Sequence, residues 1–176
     1  FGYVFWRYSK VKENYKGILM KISCTGHRLN KIGGYKIPNP TYDFILASAK
    51  QILLQLNPEC VNVGGAIGFD QLIAELCVEL KIPFHTYIPF LGQEKMWPKE
   101  SQDKYNDLLS KSEKVIIVCE GGYAPFKMQI RNCAMTDQLI NKEDRLLSCW
   151  DGTSGGTASC IQYAMKQKKK MVRIDP

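Results

Sequence analysis

The stretch CVNVGGAIGFDQLIAELCVELK, Cys60 to Lys81, changes its period partway along. CVNV is short and apolar in the manner of a strand, and it runs straight into two glycines. From Gly68 onward, Leu72, Ile73, Leu76, Cys77 and Leu80 recur on one face of a helix. Strand, glycine turn and amphipathic helix together make the repeating unit of a parallel sheet.

The same alternation extends in both directions. GILMKISC (17–24) reads as a strand, and TYDFILASAKQILLQLN (41–57) as a helix that stops where Pro58 forbids continuation. Downstream, PFHTYIPF (83–90), EKVIIVCEGG (113–122), DRLLSCWDG (144–152) and KMVRID (170–175) read as strands. Between them lie helical stretches at PKESQDKYNDLLSKS (98–112), FKMQIRNCAMTDQLI (126–140) and GGTASCIQYAMKQKK (155–169). The expected fold is α/β: a Rossmann-like, doubly wound, mainly parallel sheet with helices on both faces. One domain is expected over 18–176, with residues 1–17 an N-terminal extension that the pattern leaves unassigned.

Composition narrows the class. The chain has 176 residues, of which 45% are hydrophobic, enough for one core. No apolar run approaches the roughly 20 residues needed to span a bilayer. FGYVFWRYSK at the start lacks the apolar centre and cleavage site of a signal peptide. Seven cysteines, at 24, 60, 77, 119, 133, 149 and 160, form no CxxC pair, and most sit in apolar runs. They read as reduced, buried thiols of a cytoplasmic protein. The two histidines lie far along the chain from any cysteine cluster, so no metal is expected, and no cofactor. A net charge of +7 favours anionic partners without choosing one, and part of it is the KQKKK run at 166–170.

Ligands of open α/β sheets bind beyond the carboxyl ends of the strands. Four strands here end in polar or glycine-rich turns: TGHR (25–28), GGAIGFD (64–70), CEGGY (119–123) and DGTSGGT (151–157). Glycines let a phosphate approach the unpaired N–H groups of a helix start. Each turn alone is weak, because neither GxxxxGK[ST] nor GxGxxG is present. His27 and Arg28 would add donors, and arginine grips phosphate bidentately. Asp70 either caps the second helix or accepts hydrogen bonds from a ribose or base, and Asp151 has the same two readings. Arg131 lies in a helix, where arginine is usually a surface charge. Trp97, Tyr123, Phe126 and Trp150 could stack on a base or belong to the core. His85, inside an apolar strand, is expected to be a packed core histidine.

Taken as an ordered set, TGHRLNKIGGY, GGAIGFDQLIAEL, MQIRNCAMTDQLI and WDGTSGGTASCIQYA resemble the SLOG superfamily. That group includes the Smf DNA-processing proteins, the Lonely Guy phosphoribohydrolases and a YpsA-like branch, which is the nearest match. The resemblance implies a Rossmann-like sheet and a site for a nucleotide or nucleotide-derived ligand, often in a homo-oligomer. Carried over by motif, the ligand loops are Thr25, Gly26, His27 and Arg28; Gly64, Gly65, Gly68 and Asp70; and Gly155, Gly156 and Thr157. Arg131 and Asn132 match the family's RN pair. Lonely Guy enzymes carry PGGxGTxxE, whose glutamate serves N-glycosidic cleavage. DGTSGGTASCIQ places no glutamate there, although Asp151 or Glu120 could substitute.

The leading expectation is a protein that binds a nucleotide or nucleotide-derived signal, as a sensor or sequestering agent. Related domains read such signals in conflict between bacteria and viruses. The phosphate would rest on the 64–68 and 155–157 turns, with His27 and Arg28 closing over it. One alternative is a nucleoside monophosphate phosphoribohydrolase or other N-glycosidase. The other is a single-stranded DNA binder in the manner of Smf, although basic residues are scattered with no interleaved aromatic stripe.

Overall fold

The computed structural model describes residues 19–176, so the unassigned 1–17 stretch lies outside it. Six strands form one sheet: β1 (Lys21–Gly26), β2 (Cys60–Val63), β3 (Phe84–Ile88), β4 (Lys114–Ile117), β5 (Arg145–Cys149) and β6 (Lys170–Ile174). The helices α1 (Pro40–Leu56), α2 (Phe69–Leu80), α3 (Lys99–Lys111), α4 (Pro125–Asp137) and α5 (Gly156–Lys166) alternate with them. Every strand pairing is parallel, in the order β4-β3-β2-β1-β5-β6. The expected doubly wound α/β architecture is therefore present.

Local sequence explains the boundaries. Asn39 opens α1 by accepting the Tyr42 N–H at 2.9 Å, and Pro40 fits the first helical turn. Asn57 ends it in the left-handed conformation, φ 44°, one residue before Pro58. Helix α2 drives Phe69, Leu72, Ile73 and Leu76 fully into the core beside Ile22, Val61 and Val63. Burial of each such side chain contributes about 1.5–3 kcal/mol. Gly26 permits this packing, because a Cβ there would sit 2.5 Å from the Phe69 ring.

Helices α1, α2 and α3 pack along one face, while α4 and α5 pack on each other over β1 and β5 on the opposite face. A second, smaller core of Leu139, Leu146, Cys160, Ile161 and Ala164 seals that side. Buried polar groups pin α4 to the central strands: Ser23 Oγ donates to the Met135 carbonyl at 2.6 Å, and Asn62 Nδ2 donates to Ser23 Oγ at 3.1 Å. Among the described residues, no helix is long and apolar enough to cross a membrane.

Two expectations need correction. The 113–122 run pairs as a strand only over Lys114–Ile117, at the sheet edge, with Val115 and Ile117 more than 40% exposed. His85 is not fully buried in the core; its side chain stays 18% exposed, with Nε2 3.1 Å from Glu113 Oε2.

Candidate functional site

Strand order reverses at β1, whose neighbours are β2 on one side and β5 on the other. The connection after β1 leads to α1 on one face, while that after β5 leads to α5 on the other. Chains leaving adjacent strand ends for opposite faces open a crevice at the carboxyl edge. A cavity of about 420 Å³ occupies it. That volume suits a small organic ligand.

One wall is the segment after β1. His27 N donates to the Cys149 carbonyl at 3.2 Å, prolonging the β1–β5 ladder past the strand ends. Its Nε2 lies 2.7 Å from Asp151 Oδ1 and 3.1 Å from the Asp151 N–H. Asp151 also accepts the Thr153 hydroxyl at 2.6 Å and the Thr153 N–H at 2.9 Å. Those two bonds, then His27, hold its carboxyl well below the usual range. Arg28 follows, exposed on the cavity wall; among the described residues its guanidinium has no hydrogen-bond or ion-pair partner.

The adjacent Arg131 and Asn132 of α4 each hold a different glycine turn. Arg131 Nη1 donates to the Gly64 carbonyl, and Asn132 Nδ2 reaches the Gly156 carbonyl at 3.5 Å. Arg131 is buried rather than a surface charge, with Nη1 3.5 Å from Asp70 Oδ2, itself buried. Burial pushes the Asp70 carboxyl up, against the opposing pull of Arg131 and of the Ala66 N–H, which it accepts at 3.3 Å. Arg131 Nε is buried without a hydrogen-bond partner among the described residues. Such an orphan is rare in folded proteins.

The third wall is the start of α5. Gly155 precedes it at φ 143°, a conformation nearly restricted to glycine, and no side chain caps the helix. A Cβ at Gly155 or Gly156 would meet nothing within 4 Å among the described residues, which leave open space in front of this turn. The unpaired N–H groups and the helix dipole make that space favourable for an anion.

Thr25, Gly26, His27, Arg28, Asp70, Arg131, Asn132, Gly155, Gly156 and Thr157 thus line one hollow. Gly64, Gly65, Gly68 and Asp151 do not line it, and of the 64–68 turn only Ala66 does. Gly64 is instead the seat of Arg131, since a Cβ there would lie 1.7 Å from Nη1. Gly68, at φ 112°, lies against the His27 carbonyl. Asp70 does not cap α2 through its side chain; Gly68 occupies the cap position, and the carboxylate is spent on Arg131 and Ala66. None of the four candidate stacking aromatics lines the cavity. Trp97 packs edge-on against Tyr105 and Tyr123 against Phe90; Phe126 is exposed, and Trp150 lies under Arg173. Glu120 borders a different hollow beyond β4. Asn30, Lys31, Gln93 and Met128 also line the cavity wall and were not among the candidates. Lys31 arrives on a single 3₁₀ turn, Leu29–Lys31, and its ammonium donates to Thr153 Oγ1.

A family model for YpsA, described as the YspA SLOG family, matches residues 22–175. The chain belongs to this SLOG family. It is 30% identical over 149 residues to the SPbeta prophage-derived protein YoqJ of Bacillus subtilis, described as uncharacterized, covering 73% of this chain and 84% of that one. A UPF0398 protein of Halalkalibacterium halodurans is 27% identical over 164 residues, covering 88% and 83%. Among solved structures, DNA processing protein A from Helicobacter pylori, described for its single-stranded DNA binding mode, superposes with a TM-score of 0.62 at 17% identity. The match covers 88% of this SLOG chain but 65% of that longer protein, and it speaks to the fold.

Proposed function

We propose that this SLOG domain binds a nucleotide or nucleotide-derived ligand at the carboxyl edge of β1 and β5, with a phosphate between Arg28 and the start of α5. The carrying observation is an exposed guanidinium that has no partner among the described residues, on the same cavity as a helix N-terminus that none of them caps. Arg131, paired with Asp70, lines the same cavity, and His27 is fixed by Asp151. Sensing or sequestration fits better than hydrolysis. Both nearby carboxylates are already engaged, Asp70 by Arg131 and Asp151 by Thr153 and His27, and neither is free to activate water.

Calorimetric titration of the purified protein with ADP-ribose and with cyclic nucleotides tests this reading. Saturable binding is expected, weakened about 10- to 100-fold by Arg28→Ala, the worth of a charge-assisted hydrogen bond to phosphate. Thermal stability of that variant should match the wild type, since Arg28 holds nothing in the fold. Absence of binding to every nucleotide, or an Arg28→Ala variant that binds equally well, overturns the proposal. Two companion assays identify the rivals. Release of free base on long incubation would indicate an N-glycosidase. A gel shift with single-stranded oligonucleotide that collapses steeply with salt would indicate a DNA binder.

A further inference from the structure

At the opposite, amino edge of the same sheet, three potential metal ligands meet. Cys60 is the first residue of β2, His85 the second of β3, and Glu113 immediately precedes β4. Parallel strands start at one edge, so residues far apart in sequence become neighbours there. Cys60 Sγ, an imidazole nitrogen of His85 and a carboxylate oxygen of Glu113 all lie within 4.8 Å of one another, with His85 Nε2 and Glu113 Oε2 only 3.1 Å apart. The backbone beneath them is fixed: Glu113 N donates to the Phe84 carbonyl at 2.9 Å, and Val61 N to the Pro83 carbonyl at 3.0 Å.

From this arrangement we infer that Cys60, His85 and Glu113 form a zinc-class metal site, remote from the cavity and independent of the nucleotide reading. Tetrahedral ligands with metal bonds of about 2.0–2.3 Å stand about 3.3–3.7 Å apart. The His85–Glu113 separation is already close to that. The sulfur needs to close by about an ångström at most, and the exposed Glu113 side chain can move to meet it. A thiolate with an imidazole selects a borderline-soft ion such as Zn²⁺ over Mg²⁺ or Ca²⁺. Three protein ligands, with His85 and Glu113 partly exposed, leave the fourth position to water. Binding converts the Cys60 thiol to thiolate and releases one proton to solvent. Lys114, the register partner of His85, and Lys21 at the start of β1 add opposing positive charge. The site therefore needs the thiolate and the carboxylate together. Its effect is to tie the starts of three adjacent strands, including the edge strand β4.

Cobalt substitution tests the site on the intact chain. Titration of the reduced protein with Co²⁺ should give a near-ultraviolet thiolate-to-metal charge-transfer band at one ion per chain. Cys60→Ser should abolish the band, whereas Cys119→Ser/Cys133→Ser, which removes the two more accessible thiols, should retain it. Zn²⁺ should compete the cobalt away and raise the melting temperature. Glu113→Gln, an exposed change that spares the fold, should weaken Zn²⁺ at least tenfold while nucleotide binding stays unchanged. A wild-type protein without the band, a band that survives Cys60→Ser, or Zn²⁺ affinity indifferent to Glu113→Gln would each overturn the assignment.

Discussion

Arg131 shows how much one side chain carries here. Its guanidinium lies against Asp70 and the Gly64 carbonyl, with Nε unpartnered, so it joins the α2 and α4 sides of the crevice. Arg131→Ala leaves Asp70 buried without its counter-charge, which costs about 3–5 kcal/mol for a broken buried pair. In a chain of this size that lowers the melting temperature by on the order of 10 °C, readable by calorimetry. The two carboxylates of the site have opposite linkage. The folded state raises the Asp70 carboxyl, so it binds a proton that the unfolded chain has lost, and stability falls as pH rises through the carboxylate range. The folded state lowers the Asp151 carboxyl, so its contribution is full above its ordinary value of about 4 and is lost as pH falls through and below that value. Asp151→Asn should therefore flatten the acid limb of a melting-temperature profile. An unchanged acid limb would show that the Thr153 and His27 contacts do not hold the charge.

Among the elements, the entrance to α5 has the most distinctive chemistry. Gly155 adopts a backbone conformation nearly closed to other residues, yet a Cβ there meets no atom. Gly155→Ala should thus cost about 1–3 kcal/mol through backbone strain alone and misdirect the N–H groups that face the cavity. Gly156→Ala, at the first helical position and equally free of contacts, should preserve stability. Equal melting temperatures for the two variants would contradict this distinction. Element order and type were legible because strand and helix periods alternate so regularly from Lys21 to Ile174. The length of β4 was not, because Val115-Ile116-Ile117-Val118 reads like a strand covered on both sides, and an apolar run does not reveal that its strand sits at an edge. The RN pair and the 155–157 turn were legible as motifs. Lys31 and Gln93 were not, since they come from a 3₁₀ turn and a loop without a periodic signature. Cys60, His85 and Glu113 escaped for a different reason: their spacing along the chain matches no ligand pattern, and only the parallel register brings them together.

At the scale of the molecule, one sheet presents two chemically different edges. The carboxyl edge gathers Arg28, Arg131 and an uncapped helix start around a cavity, while the amino edge gathers a thiol, an imidazole and a carboxylate. Strand order accounts for the first, because at the β1–β5 reversal the connections leaving adjacent strands part to opposite faces. A ligand seated there would contact the segments after β1 and β5 and the α4 residues beneath, so it should raise the melting temperature with the logarithm of its concentration once that exceeds the dissociation constant. The candidate stacking aromatics lie elsewhere, so the proposed binding rests on phosphate recognition rather than on stacking of a base. A crystal structure at saturating ADP-ribose is the most direct test. The account predicts phosphate oxygens within hydrogen-bonding distance of the Gly156 and Thr157 N–H groups and of the Arg28 guanidinium. Phosphate density anywhere else on the molecule, with this crevice filled by water alone, would contradict it.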